Sequence, residues 1–331
     1  MMRFFLITMS LFLAIPVVAD TLDMKPIVES HVLPRYQTLA DETTELAMAA
    51  DTDCSPESPP LIQTYHDAFD AWVGVSHLRF GPSEQDDRAF ALAFWPDPRG
   101  STPKSLAALI EDEDPVVRHV QDFAAVSIAA RGFYALEFLL FDPQFVVSQK
   151  EAYLCALVKA VTRDIALSSA AILNGWRSGY GDLMATPGND TYRTPTEAAQ
   201  QVFTALSTGL EFTSQARLGR PLGSFDRPRP NRAEARRSER SLRHVILSLE
   251  ALRHLATLVS LDDPAVAQAF DTAIKKAEGL DDPVFARLAD PQGRFRVEVL
   301  QQSIDNIREI LAVEVGPKLG IAAGFNSLDG D

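Results

Sequence analysis

The chain has 331 residues, with 45 Asp and Glu against 31 Lys and Arg, and a formal net charge of −14. This acidic balance argues against nucleic acid as a partner, because phosphate backbones are bound by basic surfaces. About 310 residues would follow an N-terminal leader, more than one simple hydrophobic core usually serves. We therefore expect two domains and no nucleic acid.

Residues 1–19 have the features of a secretory signal peptide. Arg3 gives the positive start, residues 4–18 are apolar, and Val17 and Ala19 are placed for cleavage after residue 19. The apolar stretch is shorter than the roughly 20 residues that span a bilayer, and no later stretch is uninterrupted enough to replace it. We expect a periplasmic protein of a Gram-negative bacterium, with no transmembrane segment in the mature chain.

Apolar residues repeat at intervals of three and four over long windows, and runs typical of strands are nearly absent. Capping residues followed by Pro mark helix starts, as at Thr194-Pro195, Asp263-Pro264 and Asp290-Pro291. The pattern predicts an all-α protein. The predicted helices cover residues 24–50, 59–80, 115–141, 148–178, 195–217, 231–259, 264–279 and 291–314.

Eight helices indicate two four-helix bundles. The segment 179–195 is rich in Gly, Pro and Thr and is predicted to be the irregular linker between them. We therefore expect an N-terminal bundle over residues 20–180 and a C-terminal bundle over residues 181–331. A second irregular excursion is predicted for residues 81–102, which contain several aromatic residues that would dock it onto the body.

The chain has two cysteines, Cys54 and Cys155. In an oxidising compartment, an even and minimal number of cysteines predicts one structural disulfide. In an up-down-up-down bundle, the end of the first helix and the start of the fourth lie at the same end, so the two residues can meet.

Glu137 is the single acid in the strongly apolar helix end 131–141. Large apolar residues surround it at helical spacing, so most rotations of the helix bury the carboxylate. Burial of an unpaired carboxylate is costly or forces it neutral, so we expect a partner: an Arg, a His, a buried hydrogen-bond donor or a metal ion. A structural ion pair, a ligand or metal site, and an edge position that reaches water all stay open.

This helix resembles a motif of the imelysin-like family, Gly-x-His-x-x-Glu followed by large apolar residues. Gly132, Tyr134 and Glu137 fall on the pattern, with Tyr134 at the position of the family's His. The resemblance covers essentially the whole mature chain. It includes three further segments, at residues 78–82, 94–97 and 237–244.

The resemblance implies two helical bundles with a ligand site near their junction, an exported location and a link to bacterial iron uptake. It makes Gly132, Tyr134, Glu137 and Trp95 candidate ligand-binding residues. The family also carries the label of a zinc-type peptidase. Tyr134 departs from that chemistry, because a phenol ionises only near about pH 10 and is a poor substitute for a neutral imidazole on a metal.

A different metal site is also conceivable from the spacing. His66 and Asp70 lie one turn apart on a predicted helix, and Glu137 on the following helix would complete a set of ligands for a divalent or iron ion. An exposed helix face is the alternative interpretation. No His-Glu-x-x-His sequence supplies another zinc site, and no residue is assigned a catalytic role.

Arginine is concentrated late in the chain. Between residues 217 and 243 there are nine arginines against three acids, a local charge of +6. Guanidinium groups bind carboxylate and phosphate in bidentate fashion, although a solvated linker and helix would also explain the composition. Arg240 and Arg243 share a helical face, and one of them is expected to neutralise Glu137 if the junction site exists.

These observations favour a non-enzymatic periplasmic binding protein that contributes to iron or other metal uptake. Its partner would be a small ligand, a metal ion, or a periplasmic or membrane protein. A metal-dependent peptidase of the imelysin type and a structural partner of a membrane assembly are the alternatives.

Overall fold

A computed structural model of the chain describes residues 22–147 and 150–321. This part of the chain is helical and contains no β-strand, which confirms the all-α prediction. The predicted signal peptide at residues 1–19 lies outside the described residues. None of the helices in the described ranges is long and apolar enough to cross a membrane.

Five longer helices lie in the first half of the chain. A short helix, Met24–Ile27, and a π-helical turn, Val28–Val32, lead directly into the first of them. The five are α1 Leu33–Thr52, α2 Pro59–Val75, α3 Ser101–Asp112, α4 Gly132–Phe141 and α5 Glu151–Gly175.

Four longer helices lie in the second half. They are α6 Pro195–Glu211, α7 Ser241–Ser260, α8 Pro264–Glu278 and α9 Pro291–Ile310. The π-helical segments Phe212–Leu218 and Leu311–Val315 extend α6 and α9. Three of the predicted Pro-marked starts carry a side-chain cap, because Thr194, Asp263 and Asp290 each accept a hydrogen bond from a backbone N–H of the first turn.

Eight of the longer helices named above pack as two sets of four, and the remaining one, α3, packs against α4. In the first set, α1 packs against α2 and α5, and α4 packs against α5. Ring contacts between α2 and α4 close this set, with Phe69 stacked on Phe133 at 4.8 Å between centroids. In the second set, α6, α7, α8 and α9 each contact two of the others. The sets meet where α2 packs on α7, and the domain boundary near residue 180 stays a prediction.

The helix predicted for residues 115–141 is wrong over most of its length. Short turns occupy residues 115–130, and α4 begins only at Gly132. Gly132 adopts φ +75°, and a Cβ there would collide with the backbone carbonyl oxygens of Ala91 and Leu92. The left-handed backbone and this close approach both require glycine, so an uninterrupted helix cannot pass through this point.

Two further predictions differ from the fold. Residues 231–240 do not continue α7 toward its N-terminus, since Ala235 and Glu239 have positive φ values of 45° and 58°. The helix α3, Ser101–Asp112, begins inside the predicted irregular excursion 81–102 and is not among the predicted helices. Contacts with the first set of helices hold the segment 233–240 away from helical geometry, as described below.

Cys54 and Cys155 form the predicted disulfide, with their Cα atoms 5.2 Å apart. The bond joins the chain just after α1 to the second turn of α5. Because the two residues are 101 positions apart, the loop-entropy model gives a stabilisation of about 4–5 kcal/mol as an upper figure. The disulfide therefore fixes the end of α1 to the start of α5.

Candidate functional site

The motif helix α4 lies at the junction of the two sets of helices. Glu137 is buried, with 2% of its surface exposed. Its Oε1 accepts hydrogen bonds from the backbone N–H groups of Arg237 and Ser238, both at 3.0 Å, and from the Ser238 hydroxyl at 2.9 Å. Burial raises the pKa of Glu137, and the hydrogen bonds from Ser238 oppose that rise.

The expected ion pair of Glu137 with Arg240 or Arg243 does not form. Both guanidinium groups instead bind Asp70 on α2, with Arg240 on Oδ1 and Arg243 Nε 3.2 Å from Oδ2. The partner of Glu137 is therefore a set of buried donors, which is one of the classes that the sequence left open. The Asp70 pairs join α2 to the start of α7.

The proposed metal ligands His66, Asp70 and Glu137 are not brought together. Both oxygens of Asp70 are engaged by arginines, and the His66 ring stacks on Phe141 with centroids 5.8 Å apart. Within residues 22–147 and 150–321, no group of three or more His, Cys, Asp or Glu side chains is arranged to hold a metal ion. This donor set does not fit a bound metal.

Tyr134 contacts the same segment as Glu137, one helical turn earlier. Its hydroxyl donates a short hydrogen bond to Oε1 of Glu234. The other oxygen of Glu234 accepts from Arg217 Nε at 2.7 Å, and His244 Nδ1 lies 3.4 Å from it. All four side chains are buried, and each oxygen of Glu234 has a donor at hydrogen-bond distance.

The electrostatics of this cluster keep Glu234 ionised and Tyr134 protonated. Burial alone would raise the pKa of Glu234, but the charge of Arg217 and the surrounding donors outweigh it and lower the pKa to about 2. Burial and the negative charge of Glu234 raise the pKa of Tyr134 well above its ordinary value. Tyr134 is therefore a hydrogen-bond donor here, not a phenolate ligand.

A cavity of about 360 Å³ opens beside this cluster and is lined by both sets of helices. Its aromatic wall consists of Trp95 stacked on Tyr134 at 6.1 Å and in edge-to-face contact with Phe212 at 5.8 Å. The polar lining comes from α2, α6, α7 and the segments beside them: Ser76, His77, Arg79, Gln201, Thr204, Thr208, Arg217, Glu234 and Ser248.

The predicted ligand-binding residues divide around this cavity. Tyr134 and Trp95 line the cavity. Glu137 does not line it, and instead accepts hydrogen bonds from the backbone of residues 237 and 238. Gly132 supplies the backbone turn that starts α4, and Arg240 and Arg243 pair with Asp70. Sequence reasoning did not single out Arg217 or Glu234. Arg217 comes shortly after a helix with an apolar face, and this position in the sequence was the one indication that its charge is buried.

Three histidines form a hydrogen-bonded row at the junction. His31 Nε2 lies 2.9 Å from His77 Nε2, and His31 Nδ1 lies 2.9 Å from His254 Nδ1. His77 reaches the cavity wall, while His254 is half-buried. Burial lowers the pKa of His77 to about 3, with Arg35 and Arg217 adding to the effect, and burial likewise lowers the pKa of His31 and His254. The row is neutral at neutral pH.

The family model described as Imelysin (Peptidase_M75) matches residues 32–311, so the chain belongs to the imelysin family. An imelysin-like protein from Psychrobacter arcticum 273-4 has a similar structure, with a TM-score of 0.71, 20% identity, and coverage of 91% of this chain and 96% of that one. A protein from Parabacteroides distasonis ATCC 8503, provisionally named iron-regulated protein A precursor, is also similar in structure. Its TM-score is 0.73 at 15% identity, and the match covers 89% of this chain and 94% of that one. At these identities the likeness shows the fold. No curated protein matches the sequence.

Replacing Arg217 with Met should lower the free energy of unfolding by about 3–5 kcal/mol, because Glu234 would be left buried without its cation. The matched control is Arg163→Met, which breaks an exposed pair with Asp51 and should cost at most about 1 kcal/mol. Urea denaturation at pH 7.5 measures both. Equal losses in the two variants would show that Glu234 does not depend on Arg217.

The histidine row predicts that stability falls in mild acid. In the folded protein, the pKa values of His31 and His77 lie below the value of about 6.5 that a histidine has in the unfolded chain. Just below pH ~6.5, these histidines therefore bind protons in the unfolded state but not in the folded state. The stabilisation is complete above pH ~6.5 and declines below it, by up to about 1.4 kcal/mol per pH unit for each histidine.

Urea denaturation from about pH 6.5 to pH 5 covers a window above the ordinary carboxylate pKa values, and a comparison of variants separates the histidines from buried acids such as Glu137, whose pKa is raised. We expect His77→Gln to reduce the slope, since one titrating group is removed. The exposed His119 provides the control, and His119→Gln should leave the slope unchanged. A slope that is the same in both variants would contradict the assignment.

Proposed function

We propose that the chain is a periplasmic binding protein of the imelysin family that contributes to metal uptake, with its ligand in the cavity at the junction of the two sets of helices. The observation that supports this most directly is the cavity itself. It has about 360 Å³, an aromatic wall and several polar side chains, which are the features of small-ligand sites.

The chemistry of the lining favours an organic chelate over a bare cation. Both oxygens of Glu234 already accept hydrogen bonds, and Tyr134 is held as a donor. A free metal ion would have to displace the proton of Tyr134 and the charge of Arg217. Donors such as Gln201 and Thr204 suit carboxylate and hydroxyl groups instead.

A carboxylate chelate of iron reconciles this lining with metal uptake. The name of the Parabacteroides distasonis neighbour refers to iron regulation, which is a description of that protein. For this chain the proposed cargo is an iron complex whose carboxylates and hydroxyls face the polar lining. Its bulk would lie against Trp95 and Phe212.

The protein should bind ferric citrate more tightly than citrate alone and more tightly than zinc chloride. Isothermal titration calorimetry measures all three. Thr204→Phe places a large ring in the cavity wall without removing an ion pair, and should weaken ferric citrate binding by about tenfold or more, or about 1.4 kcal/mol.

Thr272→Phe is the matched control. It lies in a separate groove between α8 and α9 and should leave the affinity unchanged. Tight binding of zinc alone would favour a bare metal site. Identical affinity of the wild type and Thr204→Phe would remove the ligand from this cavity.

A metal-dependent peptidase is the second candidate, because the family that the chain belongs to carries a peptidase name. Under the binding hypothesis, insulin B chain should stay intact during prolonged incubation with the protein, with or without added zinc. Cleavage followed by mass spectrometry, abolished by a chelator and restored by metal, would establish the enzyme instead.

A further inference from the structure

A compact arginine-rich loop, residues 219–232, lies beside the cavity and has no part in the contacts described above. Its backbone folds back on itself. Arg227 N–H donates to Ser224 O at 3.0 Å, Arg229 N–H to Pro221 O at 2.8 Å, and Arg232 N–H to Arg229 O at 2.8 Å. These bonds hold the arginines of the loop close together.

The four arginines of this loop lack acidic partners. In the described part of the chain, no carboxylate forms an ion pair with Arg220, Arg227, Arg229 or Arg232. Four neighbouring arginines, at 217, 237, 240 and 243, each do have such a pair. Asp226 is the loop's single acid and is exposed at its turn. The positive charge of these four arginines is therefore not neutralised by ion pairs, although the protein as a whole is acidic.

The guanidinium groups are close enough to disfavour one another's charge. Burial and Arg232 lower the pKa of Arg220, and Arg227 and Arg232 lower the pKa of Arg229. Arg220 is the inner member of the cluster. Its Nε is buried without a hydrogen-bond partner, and its Cζ lies 5.6 Å from the centre of the Trp95 ring. A buried donor without a partner is costly unless a ligand supplies an acceptor.

We propose that Arg220, Arg227, Arg229 and Arg232 form a binding site for a multiply charged oxyanion, such as a phosphate or a polycarboxylate. Such a ligand would neutralise the repulsion among the guanidinium groups and supply the acceptor that Arg220 Nε lacks. The site is separate from the cavity, and Trp95 contacts both. It does not depend on the identity of the cavity ligand.

A membrane surface is a less suitable partner. Phe225, at the tip of the loop, is 78% exposed and would enter a bilayer, but Arg220 Nε is buried beside Trp95 and would take no part in a contact with headgroups at the surface. A free oxyanion bound between Arg220 and the exposed arginines would use all four guanidinium groups. Vesicles therefore serve as the contrasting test.

Phosphate and succinate titrations of the protein at low ionic strength, followed by calorimetry, test the site. The double variant Arg229→Gln/Arg232→Gln should weaken binding by about tenfold or more, and so should Arg220→Gln. Binding of phosphate but not succinate would show that the site is selective for phosphate. Binding of both would show that it accepts oxyanions in general.

The matched control is Arg118→Gln/Arg193→Gln, which removes two exposed arginines elsewhere and the same charge. It should leave binding unchanged, as should Thr204→Phe, which reports on the cavity alone. Thermal melting checks that every variant is folded. Equal loss in the control double variant, or no measurable binding by the wild type, would overturn the site. Binding to phosphatidylglycerol vesicles without binding of phosphate would replace it with a membrane surface.

Discussion

The junction depends on the burial of two carboxylates, Glu137 and Glu234, and on the donors that satisfy them. A buried carboxylate without donors is either strongly destabilising or neutral. Here the two acids lie on opposite sides of one interface. Glu137 on α4 receives N–H groups from residues 237 and 238, while Glu234 receives the hydroxyl of Tyr134 on α4. Each set of helices therefore satisfies an acid of the other.

This reciprocity explains why the segment 233–240 is not helical. In a helix, the N–H groups of residues 237 and 238 would donate to carbonyl oxygens four residues earlier and would be unavailable to Glu137. The positive φ values at Ala235 and Glu239 turn the backbone so that those groups face α4. Local composition favours helix, with Ala, Glu and Arg throughout, and a tertiary contact overrides it. No feature of the sequence window itself reveals that contact.

The sequence was informative where local rules decide the structure. Asp263 and Asp290 cap helices at the predicted starts, but Asp282, which also precedes Pro, instead accepts from the N–H groups of Ala286 and Arg287 in a turn. The burial of Glu137 and its need for donors followed from its apolar neighbours. The identity of those donors could not be predicted, because Arg240 and Arg243 pair with Asp70 and not with Glu137. Competition between acids for the same arginine depends on three-dimensional placement.

The phenol of Tyr134 determines much of what this junction can do. An imidazole can offer a lone pair to a metal, whereas the Tyr134 phenol keeps its proton in this setting and uses it on Glu234. Arg217 then completes the pairing of Glu234, and the cluster becomes a closed, charge-balanced wall of the cavity. A wall of that kind stabilises the interface and presents aromatic and donor surfaces to a ligand. Tyr134 thereby links the two halves of the chain through Glu234.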